Sequence, residues 1–173
     1  MKAFLKKKIK KSLRAISVFM RNTRAGSIAS DVFIEQAMRD VVTVLHNGHA
    51  MRFSVPNRLC RWRAETFSSK EAETLEWIDA MPDRAVLWDI GANVGLYAVY
   101  AARARSCDVY AFEPSMFNLE ILARNIFINE CAQSRDKKTG SVVIVPLALS
   151  NRTTPNYLKL TTTQWGGGFV HIR

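Results

Sequence analysis

The stretch that decides the fold is AVLWDIGANVGLY, residues 85–97. Its first half is a short apolar run typical of a buried strand, and its second half carries two glycines before an apolar helical segment. Gly91 allows a tight turn without a Cβ clash, and Gly95 lets the following helix approach the sheet. The N–H groups at the start of that helix offer donors to a ligand. The stretch therefore predicts a strand, a ligand-binding loop and a helix in succession.

The residues that follow continue this alternation. We predict, in order, strand 85–90, helix 94–105, strand 108–112, helix 116–129, polar loop 130–140 and strand 141–147. Such alternation is typical of βαβ units, in which a parallel sheet is covered on both faces. The sequence therefore predicts an α/β fold with a doubly wound sheet over residues 85–173.

A carboxylate follows the second predicted strand. Glu113 comes about 20 residues after Gly91, a spacing that places it at the tip of the neighbouring strand, where it can accept the hydroxyl hydrogens of a ribose. Asp89 would be buried without a partner unless it meets a cationic or hydrogen-donating group. Asn93 stands where a dinucleotide fingerprint has its second glycine, so an adenosyl ligand with amino-acid and sulfonium charges fits better than NAD. The alternative is a purely structural βαβ unit.

Together these residues resemble the FkbM-type S-adenosylmethionine-dependent methyltransferases. The likeness rests on VLWDIGANVGLY (86–97), VYAFEP (109–114) and Asn118, with RAETF (63–67) and KEAETLEWID (70–79) upstream and PLALS (146–150) downstream. It implies a Rossmann-like methyltransferase sheet, S-adenosyl-L-methionine as cofactor, and O-methylation of a hydroxyl on a sugar, a lipid-linked glycan or a secondary metabolite. The cofactor-binding residues that it implies are Asp89, Gly91, Ala92, Asn93, Gly95, Glu113 and Pro114. It assigns no catalytic base and no metal.

The resemblance covers about residues 50–170 and lacks the family's later strands. No Ile-Asp-Val-Asp-Gly-like sequence follows Gly166–Gly168, which form a substrate loop or a flexible end. In the implied strand order the missing strand lies beside the first, so residues 85–90 would form an open edge. We therefore expect a C-terminally truncated domain, with a completing polypeptide as one possible partner. The alternative function is a non-catalytic adaptor that binds a membrane or partner.

The N-terminal residues 1–24 carry most of the net charge. They hold nine basic side chains and no acidic one, in a chain whose formal net charge is +10. Apolar residues recur at helical spacing, namely Leu5, Ile9, Leu13, Ile16 and Met20. The segment predicts a basic amphipathic helix on an anionic membrane surface, with a disordered tail or nucleic-acid contact as alternatives. Because the rest of the chain is nearly neutral, we expect no nucleic-acid partner for it.

Residues 25–84 form a predicted lead-in region. It starts with a linker over 25–30 and continues into a hairpin at Asn47-Gly48, which pairs Val44 with Met51 and Val42 with Phe53. We expect a helix over 70–81, capped by the Ser68-to-Glu71 box and stopped by Pro82. The cluster Arg58, Arg61, Trp62 and Arg63 forms either an anion-binding patch or a solvated loop. Residues 156–163 alternate enough for an edge strand.

The cysteines, histidines and tyrosines give little indication of a metal site, a disulfide framework or a catalytic base. Cys60, Cys107 and Cys131 are widely spaced without a CxxC, so the sequence indicates neither a disulfide framework nor a zinc site. His46 and His49 lack a third metal ligand. His171 is a weak candidate for a base, and Tyr97 and Tyr100 are expected to pack. With no long apolar run, we expect no transmembrane span and a cytoplasmic chain in peripheral contact with a membrane.

Overall fold

The computed structural model describes residues 2–131, 139–152, 157–168 and 170–172, and it divides into two compact units, Met1–Arg39 and Asp40–Arg173. The first unit contains helices α1 (Lys2–Arg21) and α2 (Arg24–Arg39). The second contains β1 (Val41–His46), β2 (His49–Ser54), α3 (Arg58–Glu65), α4 (Phe67–Lys70), α5 (Ala72–Asp79), β3 (Val86–Ile90), α6 (Leu96–Ala104), β4 (Asp108–Phe112), α7 (Met116–Ile128), β5 (Ser141–Val145), β6 (Leu158–Leu160) and β7 (Val170–Ile172).

The first unit confirms the predicted N-terminal helix and corrects the predicted linker. Residues 25–30 lie inside α2, because Thr23 Oγ1 accepts the N–H of Gly26 at 3.1 Å and so caps the second helix. A Cβ at Gly26 would lie 1.9 Å from the carbonyl oxygen of Met20, so the glycine permits a tight junction between the helices. The Gly and Ser residues therefore serve a helix–helix corner rather than a flexible connection.

The predicted hairpin is confirmed in position and register. β1 and β2 pair antiparallel, with Val44 opposite Met51 and Val42 opposite Phe53. Asn47 and Gly48 both have positive φ, 45° and 79°, as a type I′ turn requires. Met51 and Phe53 are buried, so one face of the hairpin contributes to the core.

The lead-in region forms three short helices. The arginine cluster predicted as a patch or a loop is helix α3, which begins because the Asn57 side chain accepts the N–H of Cys60 at 2.8 Å. The predicted capping box is wrong: Ser68 lies within α4, and Glu71 precedes α5 without a side-chain cap. α5 ends at Asp79, before the predicted stop at Pro82.

The core of the second unit is a three-stranded parallel sheet in the order β3-β4-β5. Helix α6 packs on all three strands, and α7 packs on β5. The predicted α/β fold and the order of its elements are confirmed. The predicted loop over 130–140 falls largely outside the described residues, and the strand predicted over 156–163 is the short β6, paired antiparallel with β7.

Only one face of this sheet is covered within the described residues, which corrects the prediction of two covered faces. Leu87, Val109 and Val142 share the helix-covered face and are buried, whereas Trp88 and Ile90 on the opposite face are 59% and 64% exposed. The reason is topological. Successive right-handed crossovers that advance in one direction along a sheet place both helices on the same side.

Asn125 of α7 and Asn129, which directly follows α7, join that helix to the hairpin. Asn125 accepts the N–H of Ser54 at 2.8 Å and donates to the carbonyl of Val94 at 2.7 Å. One turn later, Asn129 accepts the N–H of Arg52 at 2.9 Å and donates to the carbonyl of the same residue at 2.6 Å. Their amides therefore bind the backbone of β2 as a neighbouring strand would.

Candidate functional site

The loop after β3 is held by the end of β4. The N–H groups of Gly91 and Ala92 both donate to the carbonyl of Phe112, at 2.9 and 3.0 Å. The N–H of Asn93 donates to Glu113 Oε2 at 2.9 Å. A Cβ at Gly91 would meet no atom within 4 Å, so the loop leaves open space beside this residue.

Glu113 is a nearly buried carboxylate whose charge is stabilised by backbone donors. It is 4% exposed, and its second oxygen, Oε1, accepts the N–H of Ser115 at 2.8 Å. A carboxylate oxygen offers about two acceptor sites, so each oxygen retains capacity for a ligand hydroxyl. This carboxylate therefore serves as both an anchor of the loop and an acceptor facing a cavity.

A first cavity of about 300 Å³ lies at the carboxyl ends of β3 and β4. Its lining residues are Ile90, Gly91, Asn93, Phe112, Glu113, Pro114, Asn118, Leu147, Ala148, Leu149, Gly167 and Gly168. Ligands of open α/β sheets bind in the crevice outside the carboxyl ends of the strands. The position and the mixture of apolar walls with one carboxylate are typical of a small-molecule site.

Asp89 lies on the helix-covered face of the sheet and retains an unused acceptor. Its Oδ2 atom is buried and has no hydrogen-bond partner among the described residues. Burial raises the pKa of Asp89 to about 6, although a hydrogen bond from the Ala98 backbone opposes the rise. An orphaned buried carboxylate oxygen is costly, and a cationic ligand group would supply the missing partner.

A second cavity of about 350 Å³ adjoins the first. It is lined by Arg63, Glu71, Thr74, Asp89, Ile90, Gly91, Ala92, Asn93, Val94, Leu96 and Tyr97. Ile90, Gly91 and Asn93 line both cavities. A ligand that crosses Gly91 therefore reaches an apolar cavity on one side and a charged cavity on the other.

The triple-glycine segment forms part of the first cavity's wall. Asn118 donates to the carbonyl of Gly167 at 3.0 Å and accepts the N–H of Gly166 at 3.0 Å. Asn93 donates to the same Gly167 carbonyl at 2.9 Å, and Arg63 Nε donates to the carbonyl of Gly166 at 2.7 Å. The segment is thus bound from α3, from the β3 loop and from α7.

The structure separates the predicted site residues by role. Six line a cavity: Asp89 and Ala92 the second, Glu113 and Pro114 the first, and Gly91 and Asn93 both. Gly95 lines neither cavity. It has a φ of 78°, and an added Cβ would lie 2.2 Å from Leu122 Cδ1, so its close approach is to helix α7 and not to the sheet.

Sequence reasoning missed several lining residues. Arg63 was predicted within an anion-binding patch or a solvated loop and not as a residue of this site, and it lies in α3. Glu71 lies between α4 and α5 and gives no local signal of a site. Tyr97 was expected only to pack, yet it lines the second cavity, whereas Tyr100 is fully buried and bonded to Asp79. Leu147 and Leu149 follow the end of β5, just as Pro114 follows the end of β4. Their position after a parallel strand could have indicated that they line the first cavity.

The part of the chain that the structure describes contains neither a candidate metal site nor an activated thiol at Cys60 or Cys131. It contains no group of three His, Cys, Asp or Glu side chains that could hold a metal ion. Burial raises the pKa of the Cys60 and Cys131 thiols to about 11, so both are held in the unreactive thiol form. The side chain of His171 lies outside the described set. No described helix has the length and apolar character needed to span a bilayer.

Among known proteins the chain is distantly similar to a methyltransferase. No protein-family model matches the chain. The hexuronic acid methyltransferase AglP of Haloferax volcanii is 25% identical over 115 residues, which are 66% of this chain and 44% of that protein. The chain thus spans less than half the length of this curated relative.

Solved structures match part of the chain at low similarity. The putative transferase PH0793 of Pyrococcus horikoshii has 18% identity and a TM-score of 0.40, covering 60% of this chain and 36% of its own. TYW2 of M. jannaschii, solved in complex with AdoMet, has 18% identity and a TM-score of 0.42, covering 62% of this chain and 43% of its own.

Proposed function

We propose that the chain binds S-adenosyl-L-methionine and is part of a methyltransferase. One observation carries the proposal: two carboxylates at the ends of neighbouring parallel strands, Asp89 and Glu113, line two cavities that meet at Gly91. The 25% identity to a hexuronic acid methyltransferase supports it. Within the methyltransferases we propose the FkbM type, on the motifs at residues 86–97 and 109–114.

The residues present fit such a ligand. Glu113 has acceptor capacity for the two ribose hydroxyls, and the first cavity's apolar residues suit the flat adenine ring. The orphaned Oδ2 of Asp89 suits the ammonium group of the methionyl part. A dinucleotide would instead bring its pyrophosphate to the loop at Gly91, beside the carboxyl group of Asp89, which like-charge repulsion disfavours.

The bound cofactor supplies an activated methyl group on its sulfonium. The contribution of this chain is to bind the adenosyl and amino-acid ends and thereby orient that methyl for in-line attack. We propose a hydroxyl acceptor on a sugar, a lipid-linked glycan or a secondary metabolite. The name of the Haloferax relative, a hexuronic acid methyltransferase, supports a sugar as the acceptor. We assign no residue as general base.

Calorimetric titration of the full chain with S-adenosylhomocysteine tests the cofactor. We expect saturable binding, at least about tenfold weaker in Glu113→Ala because a charged hydrogen-bond acceptor is lost. Glu76→Ala, an exposed glutamate on α5, is the matched control and should bind as the natural chain does. A chain that melts cooperatively yet binds nothing would overturn the proposal and favour the non-catalytic adaptor.

We further propose that the first unit binds an anionic membrane surface. Its two helices expose large apolar side chains, among them Phe4 (76%), Phe19 (73%) and Phe33 (75%). The basic residues of α1 would add about 1 kcal/mol each near anionic headgroups. The full chain should therefore sediment with phosphatidylglycerol vesicles, less so at high salt, and not with phosphatidylcholine vesicles. A Phe4→Ser, Phe19→Ser double variant should stay in the supernatant, and equal sedimentation of both proteins would contradict the proposal.

We also propose that a further polypeptide completes the sheet beside β3. Within the described residues β3 pairs only with β4, so its other edge is open. On the sheet face opposite the helices, β3 exposes Val86, Trp88 and Ile90. An open apolar face and edge of this kind invites strand addition. The chain alone should bind the dye 8-anilinonaphthalene-1-sulfonate, with a weaker signal in Trp88→Thr, Ile90→Thr. A monodisperse chain that binds no dye would contradict the proposal.

A further inference from the structure

The second cavity contains charges of both signs within a small space. Arg63 contributes a guanidinium, whereas Glu71 and Asp89 contribute carboxyl groups. Glu71 already has partners, since its Oε1 lies 3.3 Å from Lys70 Nζ and the Tyr97 hydroxyl donates to it. Asp89 keeps an oxygen without a partner. The groups left to meet a ligand are therefore one cation and one carboxyl.

Arg63 is oriented by its own hydrogen bond. Its Nε donates to the carbonyl of Gly166 at 2.7 Å, and Gly166 is in turn held by Asn118. None of the ion pairs within the described residues uses Arg63. The guanidinium plane is thus fixed at one nitrogen, and among the described residues its charge has no ion-pair partner. A planar fork of this kind matches the two oxygens of a carboxylate.

We infer that Arg63 binds the α-carboxylate of the cofactor's amino-acid end, while Asp89 meets the α-ammonium, so that the second cavity recognises a zwitterion. This inference rests on the proposed function, because it assumes a ligand whose adenosyl part fills the first cavity and which crosses Gly91. A zwitterion suits the lining, since it offers each charge a partner. A phosphate group would satisfy Arg63 but would face both carboxyl groups.

The test is a thermodynamic cycle on the full chain. Two probes are titrated calorimetrically: S-adenosylhomocysteine and its decarboxylated analogue, which keeps the ammonium and lacks the carboxylate. Two variants accompany the natural chain, Arg63→Gln and, as control, Arg61→Gln. Arg61 lies on the same helix but pairs with Asp40 and Glu65. Comparing the two probes cancels any general damage that Arg63→Gln causes through the lost contact with Gly166.

We expect the natural chain to bind S-adenosylhomocysteine about ten- to a hundredfold more tightly than the decarboxylated analogue. In Arg63→Gln this preference should shrink to less than about threefold, whereas Arg61→Gln should retain it. An unchanged preference in Arg63→Gln overturns the inference even if both probes bind. If the natural chain binds neither probe, the proposed function fails first. Arg63→Lys supplies a second variant, expected to keep part of the preference because it keeps the charge but loses the fork.

Discussion

The backbone N–H of Asn93 donates to Glu113 Oε2 over 2.9 Å, which ties the loop after β3 to the end of β4. The carboxylate that faces the first cavity therefore also shapes that cavity's floor. The loop geometry and the proposed cofactor binding depend on the same side chain, so a substitution there should affect both.

Glu113→Gln tests this coupling without a large change in volume. Its amide nitrogen must face a backbone N–H at Asn93 or Ser115, so one buried donor loses its acceptor. We expect the free energy of unfolding to fall by about 1–3 kcal/mol, measured by urea denaturation. Glu76→Gln, which is exposed, should change it by less than about 0.5 kcal/mol. Equal stabilities of the two variants would contradict the anchoring role.

The raised pKa of Asp89 predicts a pH dependence of stability. With a pKa of about 6, up from 3.8, the folded chain holds this proton over a range where the unfolded chain has lost it. The contribution of Asp89 to the free energy of unfolding should therefore decline as the pH rises from about 4 to about 6. Across that range, the natural chain should lose about 2 kcal/mol relative to Asp89→Asn, as measured by urea denaturation. A pH-independent difference would show that Asp89 titrates normally.

The same group predicts the pH dependence of ligand binding. If an ammonium pairs with Asp89, only the ionised carboxylate binds well. The affinity for S-adenosylhomocysteine should therefore fall up to about tenfold per pH unit below pH 6, where Asp89 becomes protonated. In Asp89→Asn, calorimetry should find weaker binding at pH 7.5 with little change down to pH 5. A parallel loss in both proteins would place the titrating group elsewhere.

Substitutions at Gly95 and Gly48 separate the cost of backbone strain from the cost of overpacking. Both have positive φ, 78° and 79°, but a Cβ at Gly95 would lie 2.2 Å from Leu122, whereas one at Gly48 would meet nothing within 4 Å. Gly48→Ala should cost about 1 kcal/mol through backbone strain alone. Gly95→Ala should cost about 2–5 kcal/mol, since overpacking adds to the strain. Thermal melts compare them, and equal losses would contradict the packing argument.

Asn125 lines neither cavity, and its substitution predicts a large loss of stability. Asn125→Ala leaves the N–H of Ser54 and the carbonyl of Val94 without their buried partner. We expect a loss of about 2–5 kcal/mol in the free energy of unfolding, from urea denaturation. Asn151→Ala, at an exposed asparagine, is the control. A loss below about 1 kcal/mol would mean that water replaces these bonds.

Local rules account for what the sequence predicted well. The register of the hairpin follows from Asn47-Gly48 and the two-residue period, and the succession of strands and helices after residue 85 follows from the alternation of apolar strands with helical segments. Both depend on residues close together along the chain. The predicted linker failed for a related reason, because Thr23 caps α2 and the Gly and Ser residues after it continue that helix. The predicted capping box failed because Ser68 lies within α4.

By itself, then, the sequence determined the α/β elements, the glycine loop and the carboxylate Glu113, since backbone conformation and hydrophobic period are local properties. Only the tertiary structure decided which side chains line the second cavity together. It also decided that the glycine segment 166–168 forms part of the wall of the first cavity. The bond from Arg63 to Gly166 joins residues 103 positions apart, and the bond from Asn118 to Gly167 spans 49. No periodicity encodes such contacts, because they arise when packing the core brings separate segments together.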